Sequence, residues 1–157
     1  MTISTFTLPE TRFLSNFYPY KNKNGDKYPH DVAVEYDGMT FDCVENAYQA
    51  AKAKYKKDRI QFMTMTPFQA KKFADEGNLK VRKNWDSMKL RIMRNLVWQK
   101  FSKTPALAKM LLDTGDQELV EGNDWGDIFW GISDGLGQNN LGKILMNARK
   151  RLRRSKK

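Results

Sequence analysis

Cysteine and histidine are nearly absent from this chain of 157 residues: Cys43 and His30 stand alone. A lone thiol cannot close an internal disulfide, and without a CxxC pair there is no zinc ribbon and no dithiol redox site. One imidazole removes the commonest base of a serine or cysteine nucleophile and the commonest zinc ligand. No metal or other cofactor is therefore expected, and any chemistry falls to carboxylates and lysine. Long apolar runs are missing as well. No stretch approaches the roughly 20 residues a membrane span needs, and the first residues, MTISTFTLPETRFLSNF, have neither the basic start nor the apolar centre of a signal peptide. A reducing, cytoplasmic setting is expected, with no membrane partner.

What the chain does have is 40% hydrophobic and 12% aromatic residues, enough for one sizeable core. A single domain over residues 1–152 is expected, followed by a basic tail over 149–157. That tail carries seven Lys or Arg and no acid, so it accounts for seven of the ten net positive charges and leaves +3 for the rest. It reads as a solvated, frayed helix end or, alternatively, as a contact for the phosphate backbone of DNA or RNA. The charge of the body gives a nucleic-acid reading little support.

Along the chain, Val32, Val34 and Tyr36 alternate into Asp37-Gly38, then Met39 and Phe41, which predicts a hairpin. Residues 44–57 contain no Gly or Pro and space Val44, Tyr48, Ala51 and Tyr55 as a helix. Further helices are expected from Thr66-Pro67 to Gly77, from about Asp86 through Met88, Ile92, Met93, Leu96 and Val97, from Thr104-Pro105 to Gly115, and from Asn140 to about Leu152. Between Asp113 and Asp134 stand seven acids, two Trp and four Gly without one Lys or Arg. This predicts loop, with one short strand at Glu118 to Val120.

Two motif-like strings fail on inspection. The run from Gly137 to Gly142-Lys143 approaches a phosphate-cradling P-loop, but Ile144 stands where a hydroxyl is required. The string from Leu111 to Gly115 resembles an aspartic-protease turn, yet it ends a helical pattern and has no second copy. Three segments are richer in useful groups: RFLSNFYP from Arg12, VENAYQAAKA from Val44, and DIFWGISDGLGQNNLGKILMNAR from Asp127. Glu45, Tyr48 or Gln49, and Lys52 fall at spacings of three, four and seven and so share one helix face.

At these residues the sequence resembles the NADAR family. The resemblance is carried by FLSNFYP, by Glu45, Tyr48, Gln49 and Lys52 in the pattern ExxYQxxK, by Asp127, Trp130 and Gly131, and by Gly137, Asn139, Leu141, Gly142, Leu145, Met146 and Arg149. It spans roughly Phe13 to Arg149 and departs from the family pattern at Ser133, where a second glycine is usual. It implies an α+β fold, predominantly helical, with a small N-terminal hairpin and a helical core. The activity implied is N-glycosidase cleavage of a ribosylated amine, either an ADP-ribosylated guanine or a phosphoribosylamino-pyrimidine of riboflavin synthesis.

Breaking an N-ribosidic bond needs a carboxylate near the sugar and a proton donor near the departing amine, which Glu45 and Asp127 are expected to supply. Lys52 is expected to act as an imine-forming amine or to bind sugar or phosphate. Arg12 and Asn16 suit phosphate and ribose hydroxyls, Trp85 and Trp130 offer faces to a base, and Phe17, Tyr48, Gly131 and Asn139 complete the expected binding set. Two other classes compete: a non-catalytic module that binds ADP-ribose or a nucleotide, and a nucleic-acid-binding protein using the basic tail.

Overall fold

A computed structural model describes residues 1–155; Lys156 and Lys157, the end of the basic tail, lie outside the described residues. In chain order its elements are β1 (Thr2–Ile3), a 3-10 turn (Arg12–Leu14), β2 (Val34–Tyr36), β3 (Met39–Phe41), α1 (Val44–Lys52), α2 (Lys56–Ile60), a second 3-10 turn (Gln61–Met63) and α3 (Pro67–Asp75). Then follow α4 (Trp85–Lys103), α5 (Pro105–Asp113), β4 (Glu118–Leu119), β5 (Gly122–Asn123), β6 (Ile132–Ser133) and α6 (Asn140–Ser155). Helices dominate and the strands pair only in twos, an α+β architecture. Among the described residues no helix is long and apolar enough to cross a membrane. Contacts gather in two compact units, one over residues 16–100 and one joining residues 1–15 to those from 101 onward.

In the continuous unit, β2 and β3 pair antiparallel with Val34 opposite Phe41 and Tyr36 opposite Met39. Asp37 and Gly38 turn the hairpin with φ of 52° and 75°, the left-handed pair that suits the strands' twist. α1 follows within three residues and is buried on almost every side, from Val44 to Ala51. It ends at Lys52, five residues before the expected stop. Ala53 turns extended and bridges to Val81, Lys54 N–H donates to Lys80 O over 2.8 Å, and Arg82 N–H donates to Lys52 O over 3.0 Å. Backbone pairing with a segment remote in sequence overrides helix propensity there. α3 starts as expected at Thr66-Pro67, closed by a capping box in which Gln69 N–H donates to Thr66 Oγ1 and Thr66 N–H to Gln69 Oε1.

The other unit packs α5 and α6 with β4 around Leu107, Leu111, Leu119, Leu141, Leu145 and Leu152, all buried. β1 runs parallel to β4, and β5 parallel to β6, so the acid-rich loop holds two more strand pieces than its composition suggests. The basic run is helix rather than frayed end as far as Ser155. Arg149, grouped with the solvated tail on charge alone, is buried and donates from Nη1 to Thr114 Oγ1 over 2.8 Å. Arg153 donates to Gly115 O and pairs with Asp116 at 3.0 Å, so two of the tail's cations bind the end of α5.

Candidate active site

The unit over residues 16–100 holds six of the expected site residues, Asn16, Phe17, Glu45, Tyr48, Lys52 and Trp85. Glu45 lies in the helix's first turn, where the aligned N–H dipoles favour an acid, and its own N–H donates to Asn16 O over 3.0 Å. Its carboxyl is buried, 8% exposed, and Oε2 accepts from Gln49 Nε2 over 2.7 Å. Burial pushes the Glu45 carboxyl above its ordinary pKa. The Gln49 amide and the Lys71 and Lys52 charges oppose that shift, and Asp75 adds to it.

Lys52 ends the same helix face two turns on. Burial lowers its ammonium below the usual range, against the pull of Glu45 and Asp75 and with the repulsion of Lys71 and Lys89. Its Nζ stands 5.4 Å from the centre of the Tyr48 ring, and that ring packs at 5.2 Å against Trp85 at the start of α4. Trp85 is buried. A cation on one aromatic face and a second aromatic beside it make a ledge of apolar walls with a partly desolvated amine. Asn16 also donates from Nδ2 to Met93 Sδ at 3.5 Å, and Phe17 packs edge-on against Phe68 with ring centres 5.0 Å apart.

The second unit holds the remaining expected residues. Arg12 opens the first 3-10 turn and is half-buried. Asp127 Oδ1 accepts from the backbone N–H groups of Phe129, at 3.1 Å, and Trp130, at 2.9 Å, so one carboxylate oxygen shapes the loop that carries Trp130. Trp130 packs edge-on against Phe129 with ring centres 4.8 Å apart. Asn123 was not among the expected residues, yet it ties this loop down: its Nδ2 donates to Asp127 O and to Glu121 Oε2, and its Oδ1 accepts from Asp127 N–H.

At Gly131 a Cβ would collide with the Glu121 carboxylate and backbone carbonyl, which accounts for the glycine by close approach rather than by turn geometry. Asn139, buried at a φ of 53°, donates from Nδ2 to Leu119 O and accepts at Oδ1 from Glu121 N–H, both at 3.0 Å. Its amide braces the loop against β4. Nothing in composition singles out Asn123 and Glu121 as braces, because their signal is a pattern of backbone hydrogen bonds visible only in three dimensions.

The NADAR domain pattern matches residues 5–153. The N-glycosidase YbiA of Escherichia coli (strain K12) is 33% identical over 141 residues, covering 87% of each chain, and the N-glycosidase Npun_R5314 of Nostoc punctiforme is 35% identical over 130 residues, covering 80% of this chain and 81% of that one. The riboflavin biosynthesis protein VVA0006 of Vibrio vulnificus is 34% identical over 144 residues, which are 89% of this chain and 35% of that longer protein. The NMR structure of E. coli YbiA superposes with a TM-score of 0.78 at 28% identity, covering 99% of this chain and 89% of that one.

These matches define an N-glycosyl hydrolase with the α+β fold of the YbiA structure. The chain belongs to the NADAR family.

Proposed function

We propose that the chain hydrolyses the bond between an amine nitrogen and C1 of a phosphorylated or ADP-linked ribose, with Glu45 as the proton donor and acceptor. The observation that carries this reading is that one face of α1 presents a buried carboxyl, Glu45, and two turns on a half-buried amine, Lys52. A carboxyl held protonated beyond its ordinary range can give its proton to the departing nitrogen, which is what C1–N cleavage requires. The same group, once ionised, takes a proton from the water that adds to C1.

Lys52 has two roles open to it, and they differ in a covalent bond. In the neutral form its Nζ adds to C1 of the ring-opened sugar, the amine leaves with the Glu45 proton, and water then releases the sugar from the resulting imine. In the charged form it holds a phosphate or ribose oxygen. Borohydride added during turnover distinguishes them: a stable adduct on Lys52, lost in Lys52→Met, supports the imine, and its absence assigns binding.

Asp127 is the carboxylate proposed to face positive charge on the ribose, with Oδ2, since Oδ1 holds the Trp130 loop. The ring faces of Trp130 and Trp85 are proposed for the base, Arg12 and Asn16 for phosphate and ribose hydroxyls, and Phe17, Tyr48, Gly131 and Asn139 as further binding residues. Two substrates fit this chemistry, ADP-ribosylated guanine and a phosphoribosylamino-pyrimidine. The names of the riboflavin biosynthesis relatives favour the second. A non-catalytic nucleotide-binding module is the competing class. It predicts unchanged ligand binding and no turnover to lose in Glu45→Gln, whereas the hydrolase reading predicts that turnover disappears while the fold persists.

A further inference from the structure

We propose that Gln49 is a positioning residue for the N-glycosidase reaction, its side-chain amide holding the Glu45 carboxyl in both of the protonation states that acid–base cleavage passes through. The inference rests on the role given to Glu45 above. Glu45 and Gln49 stand one turn apart on α1, 8% and 3% exposed, with Gln49 Nε2 donating to Glu45 Oε2 over 2.7 Å. A buried carboxylate needs a donor beside it, and a buried carboxylic acid carries an O–H that needs an acceptor. A primary amide contains both groups.

Whether the amide can turn depends on what its other end holds. Gln49 Oε1 is buried and accepts no hydrogen bond among the described residues. A half-turn about the terminal bond therefore gives up only the link to Glu45 and replaces it with the reverse link, Glu45 O–H to Gln49 Oε1. Asn46, on the same helix, is the contrast. Its Nδ2 donates to Phe62 O and Met65 O, and its Oδ1 accepts from the Cys43 thiol, so turning that amide would break three bonds. Asn46 is a fixed brace and Gln49 an adaptable one.

The charged groups facing Glu45 are Lys52 on its own helix and Lys71 and Asp75 on α3, the last two paired at 3.0 Å. The 3-10 turn packed on α1 contributes Gln61, Phe62 and Met63 and no charge, and β3 contributes Met39, Thr40 and Phe41, also uncharged. β2 carries Glu35, and α2 carries Lys56, Lys57, Asp58 and Arg59, with Arg59 paired to Asp37 at 2.8 Å. None of these charges can both donate and accept, whereas Gln49 can do either. In the reaction Glu45 passes its proton to the departing nitrogen as C1–N breaks, and Gln49 turns to donate. When water adds to C1 and returns a proton to Glu45, Gln49 turns back.

The test begins without substrate. In ¹⁵N-labelled protein the Gln49 side-chain amide, identified by its loss in Gln49→Met, is followed across the titration of Glu45. Resonances that shift with a single midpoint and become pH-independent in Glu45→Gln support the proposal. Resonances flat with pH in the wild type, or titrating unchanged in Glu45→Gln, overturn it. The second reading is the pH profile of kcat and KM on a phosphoribosylamino-pyrimidine and on ADP-ribosyl-guanosine. Gln49→Met is expected to lose about tenfold or more in kcat with KM within about threefold.

Gln49→Glu shares one proton with Glu45 and so restores a donor–acceptor pair only on the acidic side. It is expected to recover activity there and to move the Glu45-dependent limb up by about one pH unit. Wild-type kcat and profile in Gln49→Met, or equal losses at every pH in both variants, would contradict a role exerted through Glu45. Turnover retained in Glu45→Gln would instead remove the parent assignment, a result the amide titration does not share.

Discussion

Glu45 is the residue proposed to carry the chemistry, and its burial has a measurable effect on stability. A carboxyl whose folded pKa is raised binds its proton more tightly in the folded state than in the unfolded chain, so its burial weakens the fold as pH rises from the unfolded value, about 4.3, through the folded one. Glu45→Gln is expected to lose roughly 100-fold or more in kcat. In thermal melts it should match or trail the wild type in acid and overtake it once Glu45 would be ionised. Lys52 has the opposite sign, since its lowered folded pKa penalises the fold below that value and the penalty fades as pH rises towards the unfolded lysine value. Loop residues make a different prediction. Asn139→Ala strips partners from Leu119 O and Glu121 N–H and should cost about 2–3 kcal/mol in denaturant unfolding, with Gly131→Ala costing about 1–3 kcal/mol through the clash with Glu121.

At the scale of elements, the parts dictated by short-range rules were legible. The Asp37-Gly38 hairpin, the helix start at Thr66-Pro67 and the apolar stripes of α4, α5 and α6 follow from spacing and turn chemistry alone. The helix face joining Glu45, Tyr48 and Lys52 was legible for the same reason, because it depends on spacing within one helix. The early end of α1 was not, because Ala53 pairs with Val81, far along the chain. The strand pieces β5 and β6 and the brace at Asn123 escaped for the same cause: two-residue strands and loop hydrogen bonds leave no periodicity. The basic end of α6 yields a prediction that separates packing from charge. Arg149→Ala removes a buried bond to Thr114 and should cost about 2 kcal/mol, while Lys150→Ala, one residue on and exposed, should change stability by less than about 0.5 kcal/mol.

For the whole molecule, the net charge of +10 bears on partners more than on fold. Part of the terminal basic run is occupied within the protein, since Arg149 and Arg153 bind the end of α5, which leaves Lys150 and Arg154 among the exposed cations of α6. If α6 binds a phosphate backbone, replacing those two by Ser should lower DNA affinity and flatten its salt dependence by about one unit for each phosphate no longer neutralised, with turnover of a small ribosyl amine unchanged. The central claim is that the chain cleaves an N-ribosidic bond with Glu45 as its acid and base. Its most direct test is mass-spectrometric turnover of a phosphoribosylamino-pyrimidine and of ADP-ribosyl-guanosine side by side, with Glu45→Gln as the control. Free amine and free sugar phosphate or ADP-ribose from at least one substrate, formed roughly 100-fold or more slowly by the folded variant, is the predicted result; turnover at the wild-type rate in Glu45→Gln, or no cleavage of either substrate by the wild type, would contradict it.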